Sequence, residues 1–430
     1  MTDSAKISGR VVLAGVAILA AGAAAPPAVK QVVTGPVATY WMSAQTSSGM
    51  MAGGAGAPGG GRPSIASMMS GMRGGNVSHG LLLQLGSAQR PAGDPAAEHQ
   101  PPQSLGAGAT LPLLTPRPTT PAPVTREEPG PPQAYQKPRG KMLIYWGCGE
   151  HARPGQPLVI DFSRMAEGQI PPAYTQMMQG LQVTPMQPPS PTRNATYGEW
   201  PNEKTRTQIP GRGSLTGDHT IRGNYSPQIQ FSMTPEQDFL PAVQMTTNSR
   251  NPTGSFQLGW QPVTGATAYM ASTMGGDGGG ETIVLWSSSE VSSLLFALPD
   301  YLRPSDVTRL LGSKALMAPA QTSCIVPKEV AEAAPQAMYQ FVAYGGEANF
   351  TYPARPADPK QAWNIAWTVK VRYRSATGGL LGMAMPGGGY GEDTSGAPAG
   401  APGQPPAGKP RKPKGTDILR GLGVPIPGGR

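Results

Sequence analysis

Residues 254–273 read GSFQLGWQPVTGATAYMAST, and the stretch from Phe256 to Trp260 sets the tightest limit on what this chain can become. Phe256, Leu258 and Trp260 alternate with Gln257 and Gly259, a period of two that puts the apolar set on one face of a strand. Pro262 ends that strand, Thr264 and Gly265 supply turn chemistry, and a second strand enters through Ala268 and Tyr269. The same period returns at Ile229, Phe231 and Met233. It is clearest near the end of the folded part, where Trp367, Val369, Val371 and Tyr373 face one way and Thr368, Lys370, Arg372 and Arg374 the other. One buried and one wet face per strand predicts a mainly β protein. Large aromatics each withdraw about 150–250 Å² from water when buried, so Trp260, Tyr269 and Trp367 are the expected core anchors.

A strand ending in Trp260, the turn Pro262-Val-Thr-Gly-Ala266 and an aromatic restart at Tyr269 resemble strands B and C of a fibronectin type III domain. The resemblance covers residues 254–273 closely and 239–387 loosely. It implies an immunoglobulin-like β-sandwich and no particular activity, because that architecture carries many unrelated functions. Gly275–Gly280 reads as a flexible turn, with Thr282–Trp286 as the hairpin partner that follows. Pro304, Ser305 as N-cap, Asp306 in the first turn, apolar Val307, Leu310 and Leu311, and Gly312 at the exit predict a short helix, and a second is predicted at Lys328 to Ala333. Ordinary fibronectin type III domains lack such a helical insertion.

The chain has 58 glycines and 50 prolines in 430 residues, which leaves room for two modest folded units. The first is expected over 76–238 as an irregular β-sandwich. Its strands would be Val77–Leu85, Lys141–Cys148, Leu158–Phe162, a short one from His219, and Gln228–Met233. A Pro-rich insertion occupies 88–139. The alternative is that these strands complete the sheets of the second unit, 239–387. Residues 24–75 read as a disordered Met- and Gly-rich linker, and 388–430 as a disordered basic tail rich in Pro and Gly.

Lys6 and Arg10 precede the apolar run Val11–Ala21, and Ala21-Gly22-Ala23 offers a small-x-small cleavage site. This pattern reads as a secretory signal over residues 1–23, with an uncleaved anchor or a buried helix as the alternative, so the protein is expected to be exported to the periplasm or the cell surface of a bacterium. The formal net charge of +9 does not form a stripe. Residues 239–387 carry 10 Lys and Arg against 9 Asp and Glu, and the excess is spread over the flexible parts. Nucleic acid is therefore not an expected partner. The run Lys409-Pro-Arg-Lys-Pro-Lys414 can lie on an anionic membrane surface at about 1 kcal/mol per charge.

One cluster could carry chemistry: Cys148, Glu150 and His151. A nucleophilic thiol needs a nearby base and a zinc site needs three or four ligands, but Cys148-x-x-His151 lacks the second cysteine of a haem-attachment or zinc-ribbon motif. His79, His99 and His219 stand in no recognisable spacing to it, and no nucleophile elbow, zinc-protease motif or phosphate loop occurs in the chain. No catalytic residue and no cofactor is assigned. Cys148 and Cys324 are the two cysteines. In an oxidising compartment they are expected to pair, and two buried free thiols are the alternative. Lys370, Arg372 and Arg374 form a one-sided basic row that could meet an anionic glycan or lipid headgroup, or serve as a solvated or aggregation-resistant face. The expected function is a non-catalytic binding or structural protein of the cell envelope, its partner an envelope glycan or polymer or another envelope protein. The alternative is a metal-handling protein or Cys/His-dependent enzyme, using Cys148 and His151 or the methionines Met42, Met50, Met51, Met68, Met69 and Met72, whose thioethers suit Cu(I).

Overall fold

The computed structural model describes residues 31–53, 77–116, 139–180, 183–205, 207, 209–292 and 298–383. In chain order, β1 is Val33–Thr34, β2 Ala38–Gly49, β3 Ser78–Ser87, β4 Ala97–Gln100 and β5 Leu111–Leu113. Then come β6 Lys141–Trp146, β7 Leu158–Asp161, and two helices, α1 Phe162–Ala166 and α2 Pro172–Gly180. Next are β8 Thr196–Trp200, β9 Gly217–Gly223, β10 Ile229–Met233, β11 Met245–Arg250, β12 Phe256–Trp260, β13 Ala266–Gly276 and β14 Thr282–Ser287. The last elements are α3 Pro304–Gly312, β15 Ser323–Val326, α4 Lys328–Ala333, β16 Met338–Tyr352, β17 Trp363–Asn364 and β18 Trp367–Leu380.

A nine-stranded sheet runs through the molecule in the order β7-β6-β14-β13-β16-β18-β2-β3-β8. Its neighbours are antiparallel except at β14/β6 and β18/β2, which are parallel. One face is covered by two smaller sheets, β10-β9-β4-β5 over one half and β11-β12-β15 over the other. The protein is thus mainly β, with two sandwich-like halves that share one continuous sheet and one apolar core.

Side-chain alternation explains the layering. Leu81, Leu83 and Leu85 of β3, Tyr40 and Met42 of β2, and Val369 and Val371 of β18 enter that core. On β13, Tyr269 and Ala271 point into it, while Ala268 and Met270 point to the other face and pack against Val307 and Leu310 of α3. Helices therefore seal the second face over β7, β6, β14, β13 and β16. Trp260 is 2% exposed and meets Tyr269 edge-on at 5.8 Å and Phe341 at 4.6 Å between ring centroids. The turn between β12 and β13 closes by the Val263 N–H donating to the Tyr269 hydroxyl at 2.8 Å, with Gly265 at φ +81°. Only a residue without a Cβ adopts that conformation without strain. Trp367 is also buried, at the far end of β18, where it stacks on Tyr352.

Several expectations are corrected. Residues 38–49 are not linker: β2 is an interior strand of the large sheet, buried on both faces. Such a strand does not show the apolar/polar alternation of a half-wet one. Within 88–139, β4 and β5 form half of the four-stranded sheet, so the Pro-rich insertion shrinks to the segment around 117–138, which lies outside the described residues. A boundary at 238/239 does not divide the molecule, because β6 and β7 join β14 and because β2 joins β18. The N-cap of α3 is Arg303 with Pro304 in the first turn, not Ser305, and Gly312 is its last residue. α1 and α2 had no counterpart in the sequence reading. The signal segment 1–23 and the tail 388–430 lie outside the described residues. Among the described residues no helix is long and apolar enough to cross a membrane.

Candidate functional site

The basic row of β18 lies on the sheet face opposite the main core, beyond the reach of the helices. In register, Lys370, Arg372 and Arg374 stand beside Trp41, Ser43 and Gln45 of β2 on one side. On the other they stand beside Asn349, Glu347 and Tyr344 of β16. The row is built into the protein and is not a solvated face. Lys370 donates to the Glu347 carboxylate and lies 5.7 Å from the centre of the Trp41 ring. Arg374 is 5% exposed and donates to Asp300. Arg372 is held between two rings, 5.1 Å from Trp41 and 4.4 Å from Tyr301, and its Nε donates to Ser43 Oγ at 2.7 Å.

Electrostatics follow from that packing. Burial pulls the Arg372 guanidinium below its ordinary value, and Tyr301, Asp300 and Glu347 act against it. Burial pushes the Tyr301 phenol up to about 12 against the pull of Arg374 and Arg372, so that ring stays neutral. Cation–π contacts of this kind are worth about 0.5–2 kcal/mol, rising as water is excluded. Glu347 Oε1 and Arg374 Nε are buried without a hydrogen-bond partner among the described residues. Sequence reasoning found the three cations but missed Trp41 and Tyr301. Trp41 sits in a segment read as linker, and Tyr301 lies in a loop before α3 that no periodicity links to β18.

Cys148 and Cys324 form a disulfide, with Cα atoms 5.3 Å apart. Two backbone hydrogen bonds flank it, Gly149 N–H to Ile325 O at 2.9 Å and Lys328 N–H to Glu150 O at 3.0 Å. The loop after β6 is thereby stitched to β15, which joins the nine-stranded sheet to the three-stranded one. Cys148 and His151 do not form a nucleophile–base pair. The sulfur is bonded, and His151 turns outward, with Nδ1 3.1 Å from Glu329 Oε1 and its side chain 59% exposed. Burial works to raise the Glu329 carboxyl, but the N–H groups of Ala152 and Glu329 itself, with His151, more than offset it and leave the carboxyl below its usual range.

The other histidines are structural. Tyr40 OH lies 3.0 Å from His99 Nδ1, His99 Nε2 lies 2.9 Å from His219 Nδ1, and His219 Nε2 lies 2.7 Å from Leu215 O. A carbonyl can only accept, so His219 Nε2 carries a proton and its Nδ1 accepts from His99. His99 Nδ1 then accepts a hydrogen bond from the Tyr40 hydroxyl, which keeps its proton, and each link is satisfied with both rings neutral. His79 stacks on Phe239 at 4.0 Å. Of the methionines weighed for copper, Met42 is fully buried and Met51 packs against the helix-side core, while Met68, Met69 and Met72 lie outside the described residues. Among the described residues no group of three or more His, Cys, Asp or Glu is placed to hold a metal. A depression of about 310 Å³ beside β8 is bordered by Arg90, Asn194 and Tyr197. Asn194 folds back onto the Ser190 N–H, and Tyr197 OH is engaged by Gln84 and Glu199. No protein-family model matches this chain, and no curated protein matches it.

Proposed function

We propose that the protein is an exported, non-catalytic binding or structural module of the cell envelope, built on a fibronectin type III-like sandwich. The observation that carries this reading is the Cys148–Cys324 bridge between facing sheets. Disulfides persist in oxidising compartments and are rare where glutathione keeps thiols reduced. The bridge also occupies the thiol that a Cys/His-dependent enzyme would need. The fibronectin type III-like part rests on topology: a three-stranded sheet, β11-β12-β15, faces four antiparallel strands, β14-β13-β16-β18, with the B- and C-like strands β12 and β13 in opposite sheets. The ligand face is the row Lys370, Arg372 and Arg374, and the partner an anionic envelope glycan or polymer. Fractionation of the producing cell followed by alkylation without reductant tests the assignment. The expected result is envelope-located protein with neither cysteine modified. Alkylated Cys148 and Cys324 in a cytoplasmic fraction would overturn it.

A further inference from the structure

The basic row is charge-unbalanced at its centre. Among the described residues, its three cations face two carboxylates: Glu347 takes Lys370 and Asp300 takes Arg374. Glu347 is the register partner of Arg372 on β16, yet its carboxylate turns to Lys370. Arg372 leans the other way, towards β2, where its Nε is spent on Ser43 and its plane is fixed by Trp41 and Tyr301. The two terminal nitrogens of the guanidinium have no hydrogen-bond partner among the described residues. A fork whose plane is already fixed loses little entropy on meeting a planar acceptor, and a half-buried cation whose two nearby carboxylates are each bonded to another cation gains from an acceptor of its own.

We infer that Arg372 is the centre of a carboxylate-binding site whose ligand is a uronic-acid unit of an acidic glycan. The inference rests on the envelope-binding reading above and narrows it to a chemistry. Two carboxylates already flank the fork, so the net local charge is a single positive one, which favours a singly charged planar group over a phosphate or a densely sulfated chain. Next to Lys370 in register stands Asn349, exposed on β16, whose amide can both donate to and accept from sugar hydroxyls. Charge-assisted hydrogen bonds are the stronger kind but each is modest net of desolvation. One such contact is too weak for a free monosaccharide, so the ligand is a polymer that repeats the group and gains by rebinding.

Calorimetric titration of the full-length protein with a galacturonic-acid oligomer tests this, with the methyl-esterified oligomer, a sulfated oligosaccharide and polyglutamate as comparisons. Binding of the acid form is expected to weaken at least tenfold on esterification. Arg372→Lys, which keeps the charge and loses the fork, is expected to weaken it by a similar factor while Lys360→Gln, an exposed cation elsewhere, leaves it unchanged. Should Arg372→Lys fail to fold, the esterified comparison on the native protein decides alone. Equal binding of the acid and ester, equal or tighter binding of the sulfated chain or polyglutamate, or no binding of galacturonate would each overturn the assignment. Retention of a sulfated or neutral glycan with galacturonate silent would do so while leaving the envelope-binding reading intact. A cytoplasmic location would remove the broader reading instead.

Discussion

The two halves of the molecule share a sheet and an apolar core but differ in what stands at the centre of each half. Over β11, β12 and β15 the centre is a knot of rings, Trp260 with Tyr269 and Phe341, at centroid distances of 4.6–5.8 Å. Over β4, β9 and β10 it is a hydrogen-bonded chain, Tyr40 to His99 to His219 to the Leu215 carbonyl, with Phe231 stacked on His219 at 4.9 Å. Aromatic packing tolerates small shifts and draws its energy from area removed from water. A buried polar chain contributes little net energy but is costly to break, because every member must keep its partner. The first kind of centre should therefore respond mainly to lost volume and the second to an added proton.

The sharpest break of that comparison is Trp260→Ala. Removing a buried indole leaves a cavity between the sheets and is expected to cost about 3–5 kcal/mol, read as a fall in urea midpoint with little change in slope. Trp260→Phe should cost less than the alanine variant, since the indole N–H has no partner among the described residues to leave behind. A Trp260→Ala variant that melts with the wild type would mean that the aromatic knot is not what holds the second half.

The contrast also explains what could be read in the chain beforehand. The aromatic knot was legible because its members belong to strands with a clean period of two, one wet face and one dry, and because Trp260 and Tyr269 flank a single turn. The histidine chain was not legible: Tyr40, His99 and His219 lie 59 and 120 residues apart, and only the pairing of β4 with β9 brings the two rings together. β2 was missed for a related reason. Ala38–Gly49 is buried on both faces and bordered by Gly-, Ala- and Ser-rich sequence, so neither polar alternation nor an apolar run marks it. In the candidate site, the cations of β18 could be read from one strand, whereas the rings that orient them come from β2 and from the loop before α3. Lys370, Arg372 and Arg374 lie on the face opposite Val369, Val371 and Tyr373, as the period of two requires. Full exposure is not found: Arg374 is buried, and Lys370 and Arg372 are half-buried beside aromatic rings and two carboxylates.

Acid should act on the half that contains the histidine chain. His99 and His219 are 0% and 1% exposed. Burial lowers both below the ordinary 6.5, and for His99 the charge of His219 adds to the effect. The unfolded chain then binds protons that the folded chain refuses. Their contribution is intact above pH 6.5 and is lost as pH falls below it, at about 1.4 kcal/mol per pH unit for each ring while that ring stays neutral in the fold. Urea unfolding at about pH 7.5 and pH 5.5 should show the decline, and replacing both histidines by glutamine should reduce it to what His79, also lowered by burial, contributes. A wild-type stability that does not change across that interval would erase the distinction between the two halves.

The smallest expected effect lies at the join between the halves and sharpens what the join is. His151 is 59% exposed at its side chain and pairs with Glu329 beside the Cys148–Cys324 bridge. An exposed pair of this kind is worth about 0.2–1 kcal/mol, so His151→Ala should shift the melting temperature by no more than a few degrees and leave the disulfide formed. The backbone bonds of Gly149 to Ile325 and Lys328 to Glu150 do not involve the imidazole, and they keep the loop against β15 without it. A variant that lost the bridge, or whose cysteines became reactive towards alkylating agents, would show that the imidazole protects the disulfide. The loop would then be a redox element and not a passive staple between the two sheets.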